Sequence, residues 1–95
     1  MWKITKDKIN SSAESEVGRT SHDWNDEREK RNEMTCFRLL DDDGVVYFHG
    51  VMPTDDAMGD EETCGAPLNW AMSAYGCTLL QHYSKHSRKW EDVME

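Results

Sequence analysis

Apolar and polar positions alternate most densely in Met34–Met52, MTCFRLLDDDGVVYFHGVM, where runs rich in Phe, Leu, Val and Tyr flank Asp41-Asp42-Asp43-Gly44. Asp-Gly between two such runs is a strong short-range signal for a β-hairpin. A four-residue loop at 41–44 sets Leu40 opposite Val45, Leu39 opposite Val46 and Phe37 opposite Phe48. In that register Phe37, Leu39, Val46 and Phe48 share one face, and Cys36, Arg38, Leu40, Val45, Tyr47 and His49 share the other. A three-residue loop would mix the two sets, because a slip of one residue turns every side chain over.

On either side the pattern is less regular. Met1–Ile9 reads as a strand with Trp2, Ile4 and Lys6 on one side. From residue 10 to 33 only Val17 and Trp24 are large and apolar. A helix capped by Ser21, with Asp26–Lys30 and Glu27–Arg31 at i,i+4, is one reading. It lacks an apolar face, so a long solvated loop, partly disordered, is the preferred one. After the hairpin, Pro53–Gly65 reads as an acidic loop and Ala66–Gly76 as a short helix over about 67–75. Pro67 suits the first helical position and Gly76 the position past its end. Leu68, Ala71, Met72 and Tyr75 fall on one stripe about 100° wide, with Trp70 on nearly the opposite side, where either Trp2, Trp24 or the Trp90 strand folds over it or it serves as an interface residue. Cys77–Tyr83 reads as an interior strand, Ser84–Lys89 as a turn and Trp90–Met94 as a last strand. The expectation is an α+β fold: one domain over residues 1–95, with a small antiparallel sheet of four or five strands. One helix lies on its apolar face, bringing Leu68, Met72 and Tyr75 against Phe37, Leu39, Val46 and Phe48.

Composition narrows the class. Only 37% of the 95 residues are apolar and 32% are charged, so a core needs nearly every large apolar side chain. No apolar run approaches the roughly 18 residues of a membrane span. The lysine-bearing N-terminus lacks the apolar stretch of a secretory signal. Three cysteines cannot all pair, which suits reduced thiols and predicts a soluble cytoplasmic protein. The net charge of −8 is concentrated: Asp41–Glu62 holds eight acids and no Lys or Arg. Such a balance disfavours direct nucleic-acid binding and favours a protein partner with a basic surface.

The segments FRLLDDDGVVYFHG and APLNWAMSAYGCTLL resemble short bacterial and phage proteins of unknown function, over roughly the C-terminal two thirds of the chain. The resemblance implies a microbial or phage (mobile-element) origin and carries over no activity and no functional residue.

Candidate chemistry is thin. Cys and His total seven, but no C-x2-C or helical H-x3-H supports zinc. In the register above Cys36 and His49 are cross-strand neighbours about 5 Å apart, and Cys77 or His82 would have to complete any site. The aspartates lack the D-x-[DN]-x-[DN]-G spacing of a calcium loop. Cys64 stands before a helix, where the dipole favours a thiolate, while Asp60, Glu61 and Glu62 oppose it. With no catalytic motif, no enzyme, cofactor or metal is expected.

What remains is binding. The candidate partner-binding residues are Asp41, Asp42, Asp43, Asp55, Asp56, Asp60, Glu61, Glu62 and Trp70. The two acidic clusters flank strand 45–52 and lie about 26 Å apart. The sequence therefore reads as a small acidic, non-enzymatic module, an accessory or inhibitor protein meeting a basic partner, in its sharper form by imitating nucleic acid. The alternative is a small metal- or thiol-dependent protein using Cys36, His49 and Cys64 or Cys77. Homodimerisation through an unpaired sheet edge is compatible with either.

Overall fold

The computed structural model describes residues 1–9 and 15–94. Along the chain run β1 (Lys3–Asp7), α1 (Asp26–Arg31), β2 (Met34–Leu40), β3 (Val46–Pro53), α2 (Thr54–Ala57), α3 (Glu61–Cys64), α4 (Ala66–Tyr75), β4 (Leu79–Ser84) and β5 (Lys89–Met94). The strands form one antiparallel sheet in the order β1-β3-β2-β4-β5, with the hairpin at its centre. The fold is the expected α+β arrangement, with three short helices added to the anticipated one.

The hairpin reaches its register by two slips rather than none. Its loop has three residues: the Asp41 N–H donates to the Val45 carbonyl, and the Gly44 N–H to the Asp41 carbonyl, both at 3.1 Å. Asp41 Oδ1 accepts from the N–H groups of Asp43 and Val45, each at 2.9 Å. Gly44 takes φ 80, a value that closes this turn and that a side chain resists. A bulge between Leu39 and Leu40 adds the second slip. Two single slips restore the parity, so Phe37, Leu39 and Phe48 are all fully buried on one face, as expected. The partners change, however. Phe37 lies opposite Gly50 and Leu39 opposite Phe48, while Val46 meets Leu40 and leaves the core face. Facing Phe37 with Phe48 would crowd two rings into one layer; setting each against a smaller neighbour fills it evenly.

α4 lies where Pro67 and Gly76 bracket it, and Gly76 ends it at φ 75. Its buried face is rotated from the expected stripe. Pro67, Leu68 and Ala71 are buried, but Met72 is 48% exposed. Trp70, expected to point away, packs within 5.1 Å of Trp2, 5.2 Å of Phe48 and 5.6 Å of Tyr75 between ring centroids. An indole buries far more apolar area than a thioether, so the helix turns Trp70 inward and leaves Met72 to solvent. Trp2 on the N-terminal strand supplies the surface that receives it.

The polar stretch before β2 is partly structured. Its helix is capped by Asn25, whose side chain accepts from Glu27 and Arg28, and buries no residue. Ser21 does not cap it; Ser21 Oγ accepts instead from the Trp2 N–H at 3.0 Å. Around it, Gly18 donates to the Ile4 carbonyl and Ile4 to that of Arg19, both at 2.8 Å, so this segment covers the outer edge of β1. The loop expected at 10–33 lies outside the described residues over 10–14.

Gly50 is the position with least room. A Cβ there would stand 2.5 Å from the Lys3 carbonyl oxygen and inside the Phe37 ring's surface. Because one obstacle is backbone, a shift of the ring alone cannot relieve it. Gly50→Ala is expected to cost about 3 kcal/mol, lowering the thermal midpoint by about 15 °C in a melt followed by circular dichroism. Met72→Ser, on the exposed side of α4, should change stability by no more than about 0.5 kcal/mol.

Candidate interaction surface

The eight clustered acids have unequal work. Asp41 builds the hairpin turn, leaving Asp42 and Asp43 exposed at the tip. Asp60 caps α3, its Oδ1 accepting from the Thr63 N–H at 2.8 Å, and this bond holds its carboxyl below the usual carboxylate range. Asp56 is the most enclosed. Arg28 donates to it from two nitrogens, at 2.7 and 3.1 Å, and the Met1 ammonium from 2.9 Å. Burial pushes the Asp56 carboxyl up, but the guanidinium and the ammonium outweigh it and hold it down. The contact fastens α1 and the start of the chain to α2.

Asp55, Glu61 and Glu62 remain exposed on α2 and α3, and among the described residues none of them forms an ion pair. Between the two helices stands Met58, 82% exposed. It borders a cleft of about 540 Å³ whose walls include Met34, Thr35, Thr54, Ala57 and His82. His82 turns to the helix side with Leu80; burial pushes its pKa down, and its Nε2 is buried without a hydrogen-bond partner among the described residues. Thr54 closes part of the wall through a 2.8 Å hydroxyl bond to Thr35. The sequence reading overlooked Met58, although a lone methionine within an acidic run lacks apolar neighbours at helical spacing to bury it.

Asp42 and Asp43 lie at the other end of the sheet, separated from this surface by the length of β3, about 26 Å. Trp70 joins neither cluster; it belongs to the core margin, where Arg19 lies over its ring at 5.6 Å.

The thiols and imidazoles are dispersed. Cys36 faces Val51, and His49 faces Arg38, so the expected cross-strand pair is diagonal instead, a consequence of the two-residue change in register. Cys77 is fully buried, and burial together with Asp41 pushes its thiol up to about 11. Cys64 is buried on α3; burial first, then Asp60 and Glu61, raise its pKa against any thiolate. Among the described residues no three His, Cys, Asp or Glu side chains gather in a way that would hold a metal ion. Nor is any helix among them long and apolar enough to cross a membrane.

The sheet face opposite α4 carries a separate network. Lys6, His49, Arg38, Gln81 and Asp92 follow one another across β1, β3, β2, β4 and β5 as successive cross-strand partners. Arg38 Nε donates to Gln81 Oε1, and Gln81 Nε2 to Asp92 Oδ1, both at 2.6 Å. The Trp90 ring lies 4.5 Å from the Arg38 guanidinium, with Tyr83 at 5.3 Å and His49 at 5.7 Å. Burial, then Lys6, Arg38 and Lys8, push the His49 pKa down.

Compared with known proteins, the chain matches no family model, no curated protein and no solved structure.

Replacing Asp56 by Asn removes the charge that holds two cations at a partly buried site. The expected loss is about 2 kcal/mol, discounted for the partial exposure of Arg28. The folded carboxyl titrates below its unfolded value of about 4, so its contribution is full above that pH. It disappears as pH falls through the folded pKa. Urea melts of the wild type and D56N at pH 7 and in acid check this: the gap between them should close below pH about 4.

Proposed function

We propose that this chain is a non-enzymatic protein-binding module, an accessory or inhibitor protein, that receives a basic partner at the α2–α3 end. The observation that carries the reading is Met58, 82% exposed beside an apolar-walled cleft and accompanied by Asp55, Glu61 and Glu62. Apolar surface rimmed by charge is the usual composition of a contact site, in which the buried centre supplies affinity and the rim supplies orientation and rate. Asp56 and Asp60 support this end from within by fixing α2 and α3. The hairpin tip, about 26 Å away, would take part only if the partner's basic surface extends that far. A partner so extended would be one whose surface ordinarily receives the phosphates of a nucleic acid.

The test is capture of basic proteins from the source cell on the immobilised chain, with two variants run alongside. Replacing Asp55, Glu61 and Glu62 by Asn and Gln should reduce capture about tenfold, and raising salt from 50 to 300 mM should reduce wild-type capture similarly. Met58→Ser should weaken capture without altering its salt dependence. Capture unaffected by the charge variant would refute the proposal.

A further inference from the structure

The open sheet face suits a ligand opposite in charge to the one proposed for α2–α3, and it does not depend on that proposal. Lys6, His49 and Arg38 occupy adjacent strands β1, β3 and β2 in one row, so their Cβ atoms follow at about 5 Å intervals on the same side. Arg38 is half-buried, yet it forms no ion pair among the described residues. Its Nε is given to Gln81, and its two terminal nitrogens have no protein partner among the described residues. Lys6 and Lys8 are exposed and also form no ion pair among the described residues. In a chain with 19 acids and 11 bases, a half-buried guanidinium with two further cations on its face and only Asp92 acting on it, through space and not by direct contact, is the reverse of what composition favours. The one acid of the row, Asp92, is engaged by Gln81 at the far strand.

Trp90 adds the second element. Its half-exposed ring rests on the Arg38 guanidinium, with Tyr83 and His49 meeting it edge-on. An indole fixed by a cation on one side and by ring edges around it is held in place for stacking at little entropic cost. The geometry points to a binding surface for single-stranded nucleic acid on the β1–β3–β2–β4–β5 face, with phosphates at Lys6, Lys8 and Arg38 and a base stacked at Trp90. Cations that track a backbone beside an aromatic platform are the combination by which sheet proteins hold unpaired strands. A duplex is disfavoured, because its bases are already stacked on one another and offer Trp90 no free face. The net charge of −8 does not forbid the contact: at physiological salt the Debye length is about 8 Å, so the carboxylates of α2, α3 and the hairpin tip act only weakly on this face.

The probe is a fluorescein-labelled ten-residue oligothymidine, titrated with the protein and followed by anisotropy at 50 and 200 mM KCl. The wild type should saturate at 50 mM and bind at least about tenfold more weakly at 200 mM. Lys6→Gln and Arg38→Gln should each weaken binding about fivefold and reduce the salt slope by about one. Trp90→Ala should weaken it about tenfold and leave the slope unchanged. Lys6 is exposed, so K6Q keeps the test decisive if either of the other variants unfolds. No saturation at low salt, or unchanged affinity in K6Q, would overturn the inference. So would a ten-residue polyglutamate that competes as well as the oligonucleotide, which would assign the face to acidic protein segments instead.

Discussion

The Phe37 ring lies where the side chain of Gly50 would be, and much of the fold follows from that single interlock. Phe37 is on the central strand and Gly50 on its neighbour, with the Lys3 carbonyl of β1 closing the gap from the far side. Three strands therefore meet at a point where only hydrogen fits. The interlock sets the hairpin register, and the register sets which residues α4 must cover. With Phe37 seated at Gly50, Phe48 is displaced toward the other end of the sheet, where Trp2, Trp70 and Tyr75 gather around it. The orientation of α4 is thus a consequence of packing one ring against a missing side chain on the neighbouring strand. A core drawn from so few large apolar residues leaves little alternative, since each void of methyl size costs about 1 kcal/mol.

That dependence explains what could be read from the chain and what could not. Strand identity in 34–53 was legible because alternation and Asp-Gly both act locally. The ends of α4 were legible for the same reason, through Pro67 and Gly76. Core membership of Phe37, Leu39 and Phe48 was also read correctly, but by way of a turn one residue shorter and a bulge one residue long, whose effects on parity cancel. Met72 was misplaced and Trp70 left between two readings, because helical spacing alone does not know that Trp2 arrives from the other end of the chain. The segment around Ser21 was unreadable as structure because its bonds go to the N-terminal strand, and no local pattern records a backbone bond made across 14 or more residues. The candidate surface divided likewise. The acidic run was plain in the sequence, whereas Met58, the cleft beside it and the row from Lys6 to Asp92 exist only once the strands are ordered.

Total charge proved a coarse guide because sheet topology sorts residues that sequence order mixes. Three of the eight clustered acids are consumed by the fold: Asp41 in a turn, Asp60 in a cap and Asp56 in an ion pair. The run is therefore partly a folding device, and only its remainder, Asp42, Asp43, Asp55, Glu61 and Glu62, is surplus. Cations are distributed in the opposite manner. Lys6 and Arg38 are 32 positions apart in the chain, and alternate strand order places them on either side of His49. A near-neutral N-terminal third and a single arginine in β2 combine into a positive row that no sliding sum of charge would reveal.

Separating the two signs has an energetic consequence. Had the chain placed Asp55 or Glu61 beside Arg38, each charge would have been neutralised, yet an exposed pair of this kind contributes well under about 1 kcal/mol. Little stability is therefore lost by keeping them apart, while each face retains a field that acts over about a Debye length. Arg38 shows that the arrangement is more than indifference. Its guanidinium is partly removed from water, which costs free energy unless something compensates, and what touches it here is a neutral amide and an indole ring, with Asp92 acting only through space. An acid in direct contact would stabilise the free protein more effectively. Without such a contact among the described residues the positive charge stays accessible at that face, as the carboxylates of α2 and α3 do at theirs.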